Sequence, residues 1–456
     1  SSDTINIDQS SLLSFKSHIT SDPHNILTNN WTIQTSVCSW IGVTCGSRHN
    51  RVTELDISNM GLVGPIPPEI GNLSFLVSLN MSENLFHGPI PLSIFNMSRL
   101  QVIALRNNSL YGRHLPTDLF NQFSQLQLLE LSSSGLRGPL PTQIGNLTSL
   151  QELHLFDNSL SGTIPCTIGN LSQLIFLDLH SNKLRGDIPS SVCKLTYLQF
   201  LHLSHNSLEG SIPHCLRNLS RSLAALHLKG NQLRGLIPEI FTKVCVLQSL
   251  SINGNKFEGP LPTSLVNCVQ LQVLDVGNNE IQDTFPFWIE TLPVLRVLVL
   301  RFNRFYGTIF LDPKTTSISF PSLQVFDISH NEFTGSLPAR ISNAFTTIDL
   351  SSNRFSGTIP RSIGKLNSLR YLNLSRNNII GNIPASLGNI SMLESLDLSS
   401  NQLAGEIPLQ LTRLTFLSIL NLSFNNLVGK IPQPNFGVNK TKNLDLGMAR
   451  FRFFKY

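Results

Sequence analysis

One pattern, L-x-x-L-x-L-x-x-N-x-L-x-G-x-I-P, recurs at a 24-residue step from Val52 to Pro432 and constrains the chain more than anything else in it. Leu174, Leu177, Leu179, Asn182, Leu184, Gly186, Ile188 and Pro189 spell it in full, and Leu198 to Pro213 and Leu369 to Pro384 repeat it. Sixteen units can be counted. A unit this short cannot enclose an apolar centre of its own, so its leucines must be buried against neighbouring units in a stack. The expected fold is an α/β repeat solenoid, a superhelix with a concave parallel β-sheet. Length then sets the number of coils, so one elongated domain is expected of the 456 residues.

Each position in the unit has a physical role. In L-x-L the alternation has period two, so the leucines face inward and the residue between them faces out from a short strand. Sixteen strands at roughly 4.8 Å would span about 75 Å before curvature, enough to embrace a protein or a long peptide. The asparagine is flanked by apolar residues, and its amide supplies both donor and acceptor to the backbone of the turn. Met60 and Ser134 replace it in repeats one and four, where local looseness is expected. In G-x-I-P the glycine permits a bend, the isoleucine feeds the core and the proline ends pairing. Residues after it, such as Ser190 to Lys194, should form a short helical turn.

Composition excludes several functions. Charged residues are 13% of the chain and the net charge of +5 is scattered, with no basic stripe for nucleic acid. No apolar run approaches the ~18 residues of a membrane-spanning helix, so no transmembrane segment is expected in this chain. There is no nucleophile beside a base, no phosphate-cradling glycine loop and no kinase signature, so the chain reads as a non-enzyme without a cofactor. Ser1-Ser2-Asp3 lacks the charged and apolar regions of a secretory signal, which reads as a mature product. Twelve N-x-S/T sequons support secretion and N-linked glycans: Asn30, Asn72, Asn80, Asn96, Asn107, Asn146, Asn170, Asn218, Asn373, Asn389, Asn421 and Asn439. Several follow Ile-Gly at the repeat phase, so repeat structure alone also accounts for them.

Seven cysteines leave at least one unpaired. Cys38 and Cys45 bracket Trp40 ahead of the first repeat and are expected to bridge within a cap over the open end of the core. Cys245 and Cys268 share nearly the same phase of adjacent repeats and are expected to pair. Cys193 and Cys215 differ by two positions in phase; they either pair, leaving Cys166 free, or all three are small buried side chains.

The outward strand positions are the expected contact surface. Repeats five to eight present His154, Phe156, Asp157, Phe176, Asp178, His180, Phe200, His202, His205, His227 and Lys229. Down one column stand His154, Asp178, His202 and His227, a protein-binding patch with imidazoles whose charge changes between pH 5 and 7. The competing readings are an unused, solvated strand face and a metal site. A ladder alone gives neither convergence nor a second shell, so no metal is assigned. Arg301 and Phe302, with Arg296, Arg304 and Tyr306 nearby and the insertion Phe310 to Pro321 after them, make a second candidate anchor. Glycans on Asn80, Asn373 and Asn421 would stand on the sheet itself and confine free surface to repeats three through thirteen.

The opening Asp8 to Lys16, with Asn30-Trp31 and Cys38-Ser39-Trp40-Ile41-Gly42-Val43-Thr44-Cys45, resembles the N-terminal cap of plant extracellular leucine-rich-repeat proteins: receptor kinases, receptor-like proteins and polygalacturonase-inhibiting proteins. The resemblance covers residues 1 to about 434. It implies a cap over 1–51, a leucine-rich-repeat array over 52–434 whose last four repeats are 345–434, and a tail over 435–456. The stretch from Asn253 to Gly259 and on through Phe345 to Leu350 resembles receptor-like proteins of pathogen recognition in particular. Those usually carry an island before the last four repeats; here a 22-residue step from Leu323 to Phe345 stands in its place. A second cysteine pair, an acidic juxtamembrane stretch and a spanning helix are also missing, and the tail Ala449 to Tyr456 matches nothing in the family.

The resemblance implies an extracellular recognition module in the plant apoplast, either secreted or the ectodomain of a plasma-membrane protein. It would bind a microbial protein or peptide in innate immunity and signal through a co-receptor kinase, with Arg376, Ser400 and Phe424 as the rim for that kinase. The alternative is a secreted inhibitor of a microbial cell-wall hydrolase such as polygalacturonase.

Overall fold

The computed structural model describes residues 2–110, 115, 120, 123–309, 320–338 and 344–432. The sequon Asn439, the tail over 435–456 and all but the last two residues of the Phe310 to Pro321 insertion lie outside them. The chain divides into two compact units, Ser1–Leu233 and Arg234–Tyr456.

The first unit opens with the cap. The α-helix Ser2–Ser17 sends Leu12 and Phe15 into the core, where Trp31 and Trp40 stack 5.3 Å apart. Trp31 Nε1 donates to the Ile41 carbonyl at 3.0 Å, so the buried indole keeps a partner. Cys38 and Cys45 are bridged, with Cα atoms 5.4 Å apart, as the spacing predicts. Asp8, 1% exposed, accepts two bonds from the Arg51 guanidinium, at 2.7 and 2.8 Å, and a third at 2.9 Å from the backbone N–H of Val52, the first repeat-strand residue. This bolts the cap onto the array, and removing either charge would cost about 3–5 kcal/mol.

Behind the cap the repeat strands run parallel at the spacing of the motif. Leu153, Leu177, Leu201 and Leu226 lie side by side in register, each at most 1% exposed. Every leucine of the ladder thereby meets its equivalents in the coils before and after, which is the burial a single unit cannot provide. Asn182 shows why the turn uses an amide. Its Nδ2 donates to the carbonyls of Leu155, Leu179 and His180 at 2.9 to 3.2 Å, and its Oδ1 accepts from the Leu160 N–H at 2.9 Å. One side chain thus ties two consecutive turns together.

The looseness expected where that asparagine is replaced is absent. Ser134 is fully buried, its hydroxyl donating to the Leu105 and Ser132 carbonyls at 3.0 Å while its N–H reaches Asn158 Oδ1 at 3.2 Å. Met60 likewise donates its N–H to Asn84 Oδ1 at 3.2 Å. In both cases the asparagine of the next repeat covers the gap.

After the turn, a second extended stretch pairs with its neighbours: Ser159–Gly162 with Lys183–Asp187, and that with Ser207–Glu209. Gly186 takes φ +76° there, a conformation that a side chain resists. A 3-10 turn, Ser190–Lys194, follows Pro189, as expected from the pattern. Neighbouring turns nearly touch: a Cβ on Gly169 would lie 2.5 Å from the Ser191 carbonyl oxygen. Close stacking therefore accounts for the Ile-Gly-Asn recurrence. Cys193 and Cys215 sit on adjacent turns and are bridged, with Cα atoms 5.7 Å apart, despite their phase difference. Cys166 is free and exposed, not a buried small hydrophobe.

The second unit repeats the plan. Leu250, Leu274, Leu298, Phe326, Ile348, Leu372, Leu396 and Leu420 form its ladder. Cys245 and Cys268 are bridged as expected, with Cα atoms 4.8 Å apart. At the position that Leu184 fills in the first unit, Phe305, Phe333 and Phe355 of the second stack at 5.9 and 6.4 Å. Six second-layer strands, from Tyr306–Thr308 to Asn426–Val428, pair behind them. No helix among the described residues is long and apolar enough to cross a membrane.

Candidate functional site

The strands Glu152–His154, Phe176–Asp178, Phe200–His202 and Ala225–His227 align so that His154, Asp178, His202 and His227 are direct neighbours, the column expected from the sequence. Two residues earlier on each strand, Glu152, Phe176, Phe200 and Ala225 make a parallel column. Period-two alternation puts both columns on the outward face. Phe176 and Phe200 stack at 4.2 Å with planes 5° apart, and Glu152 Oε2 lies 3.1 Å from His154 Nε2.

A third column adds what one outward position per strand misses. His180 follows Leu179 and so emerges on the same face as Asp178, two residues on. Its ring stacks on Phe156 at 4.6 Å on one side and on His202 at 4.1 Å on the other, and His227 meets His202 edge-on at 5.2 Å. Asp178 Oδ1 lies 2.6 Å from His180 Nδ1 and 3.4 Å from His202 Nδ1. Sequence spacing alone gives a ladder without convergence; the structure supplies convergence through His180. The three side chains form a half-buried cluster whose ligand-type atoms all lie within 4.8 Å of one another.

Electrostatics follow from this packing. Burial alone would push the Asp178 carboxyl up, but hydrogen bonds from His180 and His202 outweigh it and hold the carboxyl well below the usual range. Burial, then the charge on His202, lowers the His227 imidazole. His205 is lowered by burial and by Lys229, with His180 and His202 adding to the effect. These two rings gain charge at more acidic pH than a free imidazole.

Around the cluster lies a hollow of about 400 Å³, lined by His154, Phe156, Phe176, Phe200, His202 and His227 among others. Arg106 and Glu130 also line it, and the Arg106 guanidinium sits 5.9 Å from the Phe156 ring centre. Both were legible as outward positions of repeats three and four but carried no histidine or phenylalanine to mark them. His205 and Lys229 are exposed at the edge, where the His205 N–H donates to the Lys229 carbonyl at 2.6 Å.

Arg301 and Phe302 belong to the second unit. Arg301 Nη1 is 3.6 Å from Asp327 Oδ2, and Phe302 stacks on His330 at 3.9 Å. Arg304 and Tyr306 do not join them: Arg304 pairs with Glu280 at 2.9 Å, and Tyr306 starts a strand of the second layer. The outward column of this unit reads Asp327, Asp349, Asn373, Asp397, Asn421. Asn373 Nδ2 donates to Asp349 and Asn421 Nδ2 to Asp397, each at 3.1 Å, so the nitrogens that would carry glycans face carboxylates. Both asparagines line a second hollow, of about 310 Å³, with Arg376 and His330. Arg376, Ser400 and Phe424 each take φ near +54° at the same turn position and form one edge of the array. Asn72, Asn96, Asn107, Asn146, Asn170, Asn218 and Asn389 are exposed, whereas Asn30, Asn80, Asn373 and Asn421 are half-buried.

Comparison with known proteins places these features. Residues 102–332 match the leucine-rich repeat region family, residues 5–46 the leucine rich repeat N-terminal domain and residues 344–403 a leucine rich repeat. Receptor like protein 23 of Arabidopsis thaliana is 57% identical over 75 residues, which are 16% of this chain and 8% of that protein. The chain thus spans a small part of that relative's length. A solved TDR receptor superposes with TM-score 0.76 at 31% identity, over 83% of this chain and 65% of that one. The ectodomain of the Arabidopsis receptor kinase HAESA, solved with an IDA peptide hormone ligand, gives TM-score 0.55 at 31% identity over 94% of this chain and 87% of that one.

Proposed function

The chain belongs to the leucine-rich-repeat family in its plant receptor-like branch, and from that membership we propose that it is an extracellular recognition module holding a microbial protein or peptide on the strand face of repeats five to eight. The observation that carries this reading is the set of stacked rings, Phe156 on His180 on His202 beside Phe176 on Phe200, of which Phe156, Phe176, Phe200 and His202 line one hollow of about 400 Å³. Rigid rings with polar edges supply large contact area at small entropic cost, which is what dominant interface residues provide. The rim of Arg376, Ser400 and Phe424 is the surface offered to a partner kinase; Phe424 is 63% exposed, and its backbone is held in place by the turn. Exposed sequons such as Asn146 and Asn170 lie away from the strand face, so glycans there leave it open.

The test is capture from cell-wall fluid of infected tissue by the immobilised chain, compared with Phe200→Ala. One specific component should be retained by the parent chain and lost, by about tenfold or more, from the variant. Equal capture by both would remove the face from consideration. Direct inhibition of a fungal polygalacturonase by the chain would instead support the inhibitor reading.

A further inference from the structure

Asp178, His180 and His202 do more than decorate the ring stack. Asp178 and His180 are separated by the inward Leu179 and therefore emerge on one side, while the strand pairing sets His202 directly opposite Asp178. Both imidazoles turn Nδ1 toward the same carboxylate oxygen, at 2.6 and 3.4 Å. One ligand-type atom from each of the three residues lies within 4.8 Å of the other two.

We propose that Asp178, His180 and His202 bind one divalent transition-metal ion of the zinc class. Two imidazole nitrogens and one carboxylate oxygen are a ligand set these ions take, at about 2.0–2.2 Å from the metal, which places donors roughly 3.3 Å apart in a tetrahedral site. The His202 to Asp178 separation of 3.4 Å already matches. The shorter His180 contact holds a proton, which moves to the other ring nitrogen or to water as the ion takes Nδ1, and a small rotation of the carboxylate opens the contact. Calcium and magnesium are disfavoured, since they demand six or more oxygens and the cluster offers one carboxylate.

The surroundings fix the ligands as a metal site requires. Phe156 covers the outer face of His180, and His202 is clamped between His180 and His227. The rings therefore hold their orientation without the ion. The remaining side opens to the hollow, leaving a position for water or for a carboxylate or imidazole of a bound protein. The site does not depend on which protein ligand the face takes, so the ion alone is the probe.

The tag-free full chain, stripped with a chelator, is titrated at neutral pH with Zn²⁺ by calorimetry and with Co²⁺ by visible absorption. The expected result is one ion per chain and the absorption of a four-coordinate Co²⁺ site. His180→Ala and His202→Ala should each weaken binding by more than about a hundredfold, beyond the roughly 10–100-fold of an outer-shell change, while His214→Ala, exposed at the start of the 3-10 turn His214–Leu219, leaves it intact. Circular dichroism of each metal-free variant checks the fold, and Asp178→Asn reads the same site with the least change of shape. Absence of saturable binding, or binding that survives loss of His202 or disappears with His214, would overturn the proposal.

Discussion

Asp178 and Asp327 occupy the same outward register of their strands, and each accepts the N–H of the residue two positions on, at 3.2 and 3.1 Å. Their fates are opposite. Two imidazoles hold the Asp178 carboxyl low, whereas burial and the neighbouring Asp349 push Asp327 up against the opposing bonds from Ser329 and the charge of Arg301. The backbone around both is the same, with the same aligned ladder beneath and the same asparagine beside it. The outward column thus carries little of the burden of folding, and the array can write imidazole and aromatic chemistry on one stretch and carboxylate and amide chemistry on another.

If that separation of duties is real, changes beneath the two faces should cost alike, and changes on them should not. The largest losses belong to the core. Phe333→Ala in the second unit should cost about 3–5 kcal/mol and Leu184→Ala in the first about 2–5 kcal/mol in urea unfolding, both side chains being fully buried. A loss under about 1 kcal/mol at either would show that the ladder is not what holds that region.

Next come the turn amides. Asn182→Ala and Asn377→Ala each strand carbonyls of two successive repeats, and each should cost about 2–3 kcal/mol, with faster hydrogen exchange confined to the neighbouring repeats.

The smallest effects separate the faces. Asp178→Asn removes charge-assisted bonds to His180 and His202 and should cost about 1–2 kcal/mol at neutral pH. Asp327→Asn should cost nothing or stabilise. Its sign follows from linkage: a carboxyl raised in the fold binds more protons folded than unfolded, so stability falls as pH rises from the ordinary aspartate value through the raised one. Urea melts of this variant should lack that fall, and the gap to the parent chain should open over that window and then stay constant.

Much of this was legible in the sequence because the repeat is a packing rule. Leu177 and Leu201 had to align, Ser190 to Lys194 had to turn after Pro189, and the column from His154 to His227 followed from the register alone. What escaped depends on side-chain direction rather than period. His180 joins Asp178 from just past the end of the strand Phe176–Asp178, and Arg106 reaches Phe156 across repeats. The bridge between Cys193 and Cys215, one of two readings the sequence left open, forms because two helical turns are adjacent, whatever their phase. The adequacy of Ser134 in place of asparagine is a local hydrogen-bonding solution that a consensus does not display.

The most direct test sets folding and recognition side by side in one variant, His154→Ala with His202→Ala and His227→Ala, measured for thermal unfolding and for capture of the cell-wall component retained by the parent chain. The separation described above predicts a melting temperature within a few degrees of the parent and capture reduced by about tenfold or more. Capture that persists undiminished in a folded triple variant would contradict it.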